Sequence, residues 1–319
     1  MERELDFEKT MIDIEKTLDK LRHRDSIGKK GHREQIETFE RKLDEMRRDV
    51  YSNLTPWQTV QVARHPKRPV LRDYIDMIFK EFVELHGDRA FGDDRALIGG
   101  FARLGDAKVM LIGHNKGKNV DENIHRNFGM SRPEGYRKAL RLMRLAEKYN
   151  LPIVTFIDTV GAFPGLDAEE RGQHEAIARN LTEMARIEVP VIVVVTGEGG
   201  SGGALGIGVG DAVLMLQNAI YSVISPEGCA GILWRDGSFA AQAAEAMKIT
   251  AKSLMELGVI DEIIHEPPGG AHRFPLETGD RIKVTVLGHL AQLASLSSEA
   301  LLERRFKKFS AMGKFDEQK

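Results

Sequence analysis

Directly behind an unbroken apolar run, Val191–Val195, the chain places eight glycines between positions 197 and 210, in the stretch TGEGGSGGALGIGVG. A run of branched apolar residues without polar alternation is what a strand covered on both faces looks like, and such strands belong to parallel α/β sheets. Glycine loses more conformational entropy on ordering than any other residue. A cluster of glycines therefore answers a geometric need. Two needs qualify here. One is close packing of a helix on the sheet. The other is backbone approach to a ligand at the carboxyl end of a buried strand, where open α/β sheets bind their ligands. A second run of the same type, PIVTFID, leads into another turn, DTVGAFPG (Asp158–Gly165).

The remainder of the chain alternates in the same way. LIGGFARL and KVMLIGHNKG read as paired strands, and LRDYIDMIFKEFVELHG as one amphipathic helix closed by Gly87. SRPEGYRKALRLMRLAEKYN reads as a helix whose Ser131 and Glu134 have the spacing of a capping box. DAEERGQHEAIARNLTEMARI carries acids in its first turn, which suits a helix N-terminus. EIIHEP reads as a last strand. Repeated strand–turn–helix units imply an α/β domain. Ahead of it, Met11, Ile14, Leu18 and Leu21, then Ile36, Phe39, Leu43, Met46 and Val50, step by three and four. They imply a helical hairpin broken at SIGKKGH (Ser26–His32). The expected organisation is a hairpin over 1–55, an α/β core over 56–275 and a helical, charged tail over 276–319.

Composition narrows the function classes. The net charge of −2 argues against a globally basic nucleic-acid binder. The single cysteine, Cys229, excludes an internal disulfide and a multi-cysteine zinc site and fits a reducing compartment. The ten histidines show no paired ligand spacing, so no metal is expected. The N-terminus MERELDFEKT lacks the apolar core of a signal peptide, and no run is long enough for a bilayer, so a cytoplasmic location is expected.

Gly197-Glu-Gly-Gly-Ser-Gly202 matches G-x-G-x-x-G, but little chain separates it from the next strand and no acid is placed for a ribose. A phosphate-binding P-loop is excluded by the lack of G-K-[ST]. A third reading uses the backbone. If Gly202 and Gly203 open a helix, their N–H groups have no helical acceptor, and the helix dipole adds partial positive charge there. Such a pair can stabilise an oxygen that becomes negative during a reaction. Gly206, Gly208 and Gly210 then allow close packing, and Gly197, Gly199 and Gly200 shape the turn.

Several long segments carry a specific resemblance. Gly197–Trp234, QVARHPKRP (Gln61–Pro69), RNFGMSRPEGYRKALRLM (Arg126–Met143), AEERGQHEAIARNL (Ala168–Leu181) and GGAHR (Gly269–Arg273) resemble the carboxyltransferase alpha subunit of bacterial acetyl-coenzyme A carboxylase. The resemblance is dense from about Pro56 to Arg273. It implies a crotonase-like spiral of ββα units. It implies transfer of a carboxyl group from carboxybiotin, held on a separate biotin carboxyl carrier protein, to acetyl-CoA, giving malonyl-CoA for fatty acid synthesis. The implied partners are a beta subunit in an alpha2beta2 assembly, the carrier, and biotin carboxylase. The active site lies at the alpha–beta contact, with biotin on the alpha side and the zinc site in beta. Oxygens on biotin and on the thioester become negative in turn, so two oxyanion holes are needed and no protein base is required. Gly202 and Gly203 are the pair expected to serve the biotin ureido oxygen.

The turn Gly161, Ala162, Phe163, Pro164, Gly165, together with Gly228 in SPEGCAG, is expected to shape the biotin pocket. The family turn is commonly T-P-G-A-Y-P-G, so Val160 loosens a restraint here and Phe163 lacks a hydroxyl. In the basic set Arg126, Arg132, Arg137, Lys138, Arg141 and Arg144, the expected contacts of Arg126, Arg137 and Lys138 are coenzyme A phosphates or a partner, against a plain solvated helix face. Rival readings are a self-contained crotonase-type enzyme using Glu198 or Glu227 as base, a Clp-type serine peptidase using Ser201, and a non-catalytic assembly subunit.

Overall fold

The apolar run of residues 191–195 is the centre of a mixed sheet in the computed structural model, which describes residues 5–26 and 33–313. The strands are β1 Phe79–Glu84, β2 Leu97–Leu104, β3 Ala107–His114, β4 Ile153–Thr159, β5 Val191–Gly200, β6 Ala212–Leu216, β7 Ile220–Ser222 and β8 Glu262–Ile264. Their order is β1-β2-β3-β4-β5-β6-β8, with β7 paired to the carboxyl end of β5. β1, β2 and β3 run antiparallel; from β3 through β8 every pairing is parallel. All residues of β4 and β5 are buried, as their unalternating composition requires. Between Ile157 and Thr159 the register of β4 on β5 shifts, and Gly197-Glu198 occupies the slack.

Two N-terminal helices, α1 (Lys9–Ser26) and α2 (Arg33–Ser52), pack on each other. The loop between them lies outside the described residues. The pair has its own small core of Leu5, Met11, Leu18, Leu43, Tyr51 and Val62, separate from the core around the sheet. It is fastened to the rest by a polar cluster. Glu8 accepts from the Tyr51 hydroxyl and lies 3.4 Å from both His272 Nε2 and Arg273 Nε, and Arg273 also binds Glu15 at 2.6 Å. His65 stacks on His272 with ring centroids 4.1 Å apart. Burial would raise the Glu8 carboxyl, but hydrogen bonds from His272 and Tyr51 and the Arg273 charge outweigh it and hold the group at about 2. Glu8, His65 and His272 offer three converging ligand atoms. With Glu8 spent on Tyr51 and Arg273, and His65 Nδ1 accepting from Lys67 N–H, the cluster is an anchor for the hairpin.

A capping box at Thr55 and Gln58 starts α3 (Pro56–Ala63), and α4 (Leu71–Ile78) follows. The single helix expected over Leu71–Gly87 is not formed. It stops at Ile78, and Phe79–Glu84 becomes β1, an edge strand on β2. Pairing with β2 overrides the local helical pattern, at the cost of a register shift at Lys80/Val83, with Glu81 at φ 54°.

After β3 come α5 (Val120–His125) and α6 (Pro133–Lys148). The capping box expected at Ser131 is absent, because the Ser131 hydroxyl donates to Asp94 at 2.7 Å and Glu134 is bound by Arg171 at 2.9 Å. After β4, the expected single helix is two, α7 (Leu166–Glu170) and α8 (Gln173–Met184), split by Gly172 at φ 81°. A short α9 (Ser201–Leu205) follows β5; α10 (Pro226–Trp234), α11 (Ala240–Ala246) and α12 (Ala251–Glu256) come before β8.

The tail forms α13 (Pro275–Leu293) and α14 (Ser298–Ser310). It is part of the main core, which includes Ile282, Val286, Leu290 and Leu301. Arg305 on α14 is 1% exposed, binds both oxygens of Asp211, and donates to the carbonyls of Met184, Ile187 and Val189. Removing one partner of such a buried network leaves a charge and several acceptors unpaired, which costs about 3–5 kcal/mol. Arg305→Met is expected to lower urea unfolding stability by that amount. A loss under about 1 kcal/mol, the value of a surface pair, would refute the anchoring role of this residue.

Candidate active site

β4 and β5 are parallel neighbours, so their carboxyl ends and the turns behind them emerge side by side. The turns meet backbone to backbone. A Cβ on Gly203 would fall 2.3 Å from the Gly161 carbonyl carbon and 2.6 Å from Ala162 N. One on Gly200 would fall 2.2 Å from the Val160 carbonyl oxygen. No L side chain fits at either position, which accounts for two of the glycines by close approach. Gly202 differs. Its Cβ would meet nothing nearer than Ile177 Cδ1 at 3.6 Å, and it lines an apolar cavity of about 590 Å3 with Ser201, Leu205, Tyr221 and Val223.

Ser201 opens α9 with φ 53°, a left-handed conformation uncommon outside glycine and asparagine. Such outliers concentrate where a site dictates the backbone. Gly206 N–H bonds to Gly202 O, so helical bonding is in place by there. Gly202 and Gly203 lie in the first turn, whose N–H groups have no helical acceptor. Behind them Gly206 rests on the Tyr136 ring, which a Cβ would meet at 2.6 Å.

The opposing turn is braced from within. Thr159 Oγ1 donates to Gly161 O at 2.7 Å and accepts from Gly161 N–H at 3.2 Å, which restrains the turn although Val160 stands where the family has proline. Phe163 N–H donates to Ser131 O and Phe163 O accepts from Gln173, while the Arg132 guanidinium lies 4.1 Å from the ring centroid. Phe163 thus has a stacking role that needs no hydroxyl. Ala162 and Gly165 are half-buried and Pro164 is exposed. Gly228 lies in the first turn of α10, where its N–H donates to Ser225 Oγ at 3.1 Å.

The basic residues are placed differently from the expectation. Lys138 is fully buried, with its amine on Asp93 and on the Asp94 carbonyl at 2.7 Å, and has no path to a phosphate. Arg137 binds Asp88 at 2.8 Å and Arg171 O at 3.1 Å. Arg126 donates to Lys116 O at 2.9 Å and props that segment. All three are committed to the fold of their own loops.

Charged residues that sequence reading passed over lie under the turns. Lys116 Nζ is 2.7 Å from Asp158 and 3.5 Å from Glu198. Arg64 Nε donates to Glu198 at 2.6 Å, and its Nη1 and Nη2 reach the two oxygens of Glu227. Glu198 N–H in turn donates to Asp158 at 3.0 Å. Burial disfavours the Lys116 ammonium, but Asp158 and Glu198 beside it more than compensate and raise it. Burial raises the Glu227 carboxyl, and Arg64 lowers it further than that, leaving it below the usual range. The signal was present in the sequence: each buried strand carries one isolated acid just before its turn, in FIDT and in TGEG. With Glu198 and Glu227 both held by Arg64, neither is the free base that a self-contained crotonase-type enzyme requires. Ser201 has no histidine bound to its hydroxyl among the described residues, so the peptidase reading lacks its base. Cys229 is half-buried on α10.

Comparison with known proteins bears on the family and the fold. Residues 4–313 match the family model described as acetyl co-enzyme A carboxylase carboxyltransferase-like. The acetyl-coenzyme A carboxylase carboxyl transferase subunit alpha of Methylococcus capsulatus is 56% identical over 313 residues, covering 98% of each chain. The protein of that name from Geobacter metallireducens is 55% identical over 315 residues, again covering 98% of each. Among solved structures, transcarboxylase 12S aligns with TM-score 0.55 at 20% identity, over 79% of this chain and 44% of that one. The beta subunit of Pseudomonas aeruginosa geranyl-CoA carboxylase aligns with TM-score 0.56 at 18% identity, over 77% of this chain and 46% of that one. These likenesses bear on the fold, which is the crotonase-like α/β fold expected from the sequence. By the family match and by identity over nearly its whole length, the chain belongs to the acetyl-coenzyme A carboxylase carboxyltransferase alpha-subunit family.

Proposed function

We infer that the chain is the alpha half of a two-chain carboxyltransferase that moves a carboxyl group from carboxybiotin to acetyl-CoA, forming malonyl-CoA for fatty acid synthesis. The beta subunit completes the site in an alpha2beta2 assembly, and biotin carboxylase recharges the carrier protein. The setting is the cytoplasm; among the described residues no helix is long and apolar enough to cross a membrane. The observation that carries this reading is the contact of the Gly203 turn with the Gly161 turn, beside the open face of Gly202.

The residues suit a biotin-sized group. An apolar cavity of about 590 Å3 borders Gly202, within the range of small-ligand sites, and the first turn of α9 lies on its wall. Carboxybiotin, when bound, supplies the carboxyl group and a ureido oxygen that gains negative charge. In this reading that oxygen is received by the N–H groups of Gly202 and Gly203, which lie in the first turn of α9 without helical acceptors, so little reorganisation is needed when charge develops. The turn Gly161–Gly165, which packs on Gly203, and the first turn of α10 at Gly228 are assigned to the same biotin side of the site. The acids at this half-site, Asp158, Glu198 and Glu227, are each held by a cation, in keeping with chemistry in which the substrate supplies the base.

The missing half has a place to dock. α10 and its flanks expose Val223, Ile232, Leu233, Trp234 and Phe239, with Ile232 at 72% and Leu233 at 64%. Contiguous exposed apolar side chains at a site edge mark an interaction surface, and we assign this one to the beta subunit.

Two outcomes check the reading. Gly203→Ala and Gly202→Ala add the same methyl group to adjacent residues, yet only the first meets backbone, at 2.3 Å. Gly203→Ala is expected to lower malonyl-CoA formation by about 10²–10³-fold, the usual effect of losing an oxyanion donor, in an alpha–beta complex of normal size. Gly202→Ala meets no backbone and is expected to leave the thermal midpoint of the chain unchanged. Unchanged malonyl-CoA formation in Gly203→Ala would exclude the assignment. Leu233→Glu should abolish co-purification with beta while leaving the thermal midpoint of the isolated alpha chain unchanged. Intact complex in that variant would place the interface elsewhere.

A further inference from the structure

Five side chains of alternating sign run beneath the site: Asp158, Lys116, Glu198, Arg64 and Glu227. Each acid sits next to one of the three turns already described. Asp158 precedes Gly161 by three residues, Glu198 precedes Gly202 by four, and Glu227 adjoins Gly228. Arg64 comes from the C-cap of α3, an element that contributes nothing else to the site. It belongs to QVARHPKRP, a motif to which the transfer reaction gives no role.

Stability is a weak explanation for this chain of charges. The Glu198 side chain is 7% exposed and that of Asp158 10%. Desolvating such groups offsets most of their mutual attraction, and apolar residues of similar volume often stabilise equally well. What a guanidinium adds is direction. It is planar, and its N–H groups form a rigid fork. Here Nε binds Glu198 at the foot of the glycine turn, while Nη1 and Nη2 bind Glu227 at the start of α10. One rigid group thereby sets the distance between the strand end that leads into the glycine turn and the first turn of α10.

We propose that Arg64 is a positioning residue for carboxyl transfer, a forked brace that fixes the Gly202–Gly203 turn relative to the first turn of α10. The proposal rests on the assignment of those turns to the biotin side of the site. Its effect is on geometry. A displacement of about 1 Å at the reacting centre can cost about 10²-fold in rate. Lysine keeps the charge but is a point donor on a flexible stem and cannot hold both carboxylates in one plane.

The test uses the complete alpha–beta complex with Arg64→Lys, Glu227→Gln and the double variant. Three quantities are read: kcat and KM for malonyl-CoA formation, the thermal midpoint, and amide hydrogen exchange of residues 197–205. Glu227 is 42% exposed on its side chain, so its glutamine variant folds even if the arginine variant does not. The brace predicts normal assembly and an unchanged KM for acetyl-CoA. It predicts kcat lower by about 10–100-fold and faster exchange confined to 197–205. It also predicts a double variant no worse than Arg64→Lys alone, since the groups act as one unit. Unchanged kcat and unchanged exchange in Glu227→Gln would overturn the proposal, as would a lower thermal midpoint with full turnover per folded complex in Arg64→Lys. A wild-type complex that makes no malonyl-CoA would overturn the functional reading instead, and the exchange measurement would still decide whether Arg64 braces the turn.

Discussion

The close approach of two backbone turns is the constraint on which the rest of the structure depends. Gly200 and Gly203 lie against Val160, Gly161 and Ala162 with no room for a Cβ on either glycine. This contact requires that β4 and β5 be parallel neighbours ending at one edge, and that both be covered by helices, because a strand buried on both faces has no solvent side. It requires a tight start to α9, which Ser201 supplies in a left-handed conformation. It also brings Asp158 and Glu198 together, and Lys116 is the cation that lets the two acids share the space. The position of the candidate site is therefore a consequence of β4 and β5 ending side by side.

Much of this was legible in the residues. Apolar runs without alternation identified β4 and β5, and the glycine cluster identified the edge where they end. Long motifs such as Gly197–Trp234 carried the family. The errors had specific causes. Phe79–Glu84 has a helical pattern locally and becomes a strand because β2 offers an edge, which is a tertiary fact. Ser131 has the right spacing for a cap but finds a better acceptor in Asp94, which lies far away in sequence. Lys138 reads locally as part of a basic helix face, yet the 86–94 loop folds over it and supplies Asp93. Local spacing shows which partners are near in sequence and says nothing of those brought in by the fold.

The motifs with no evident chemistry acquire a purpose from their neighbours. QVARHPKRP and GGAHR meet at His65 and His272, where they hold the N-terminal hairpin through Glu8 and Tyr51. Arg68 from the same motif pairs with buried Glu266 at 2.7 Å and donates to Thr196 O, one residue before the glycine turn. Arg64 continues that line to the site itself. One segment thus ties hairpin, sheet and site together, and a family that moves substrate between separate proteins has reason to keep its half-site this rigid.

The central claim is that this chain supplies half of a carboxyltransferase site and is inactive alone. Its most direct test is malonyl-CoA formation from acetyl-CoA and carboxylated carrier protein, measured with the purified chain, with the beta subunit, and with the two combined. Turnover is expected only in the combined sample. Turnover of an acyl-CoA by this chain alone, or none by the assembled pair, would contradict the claim.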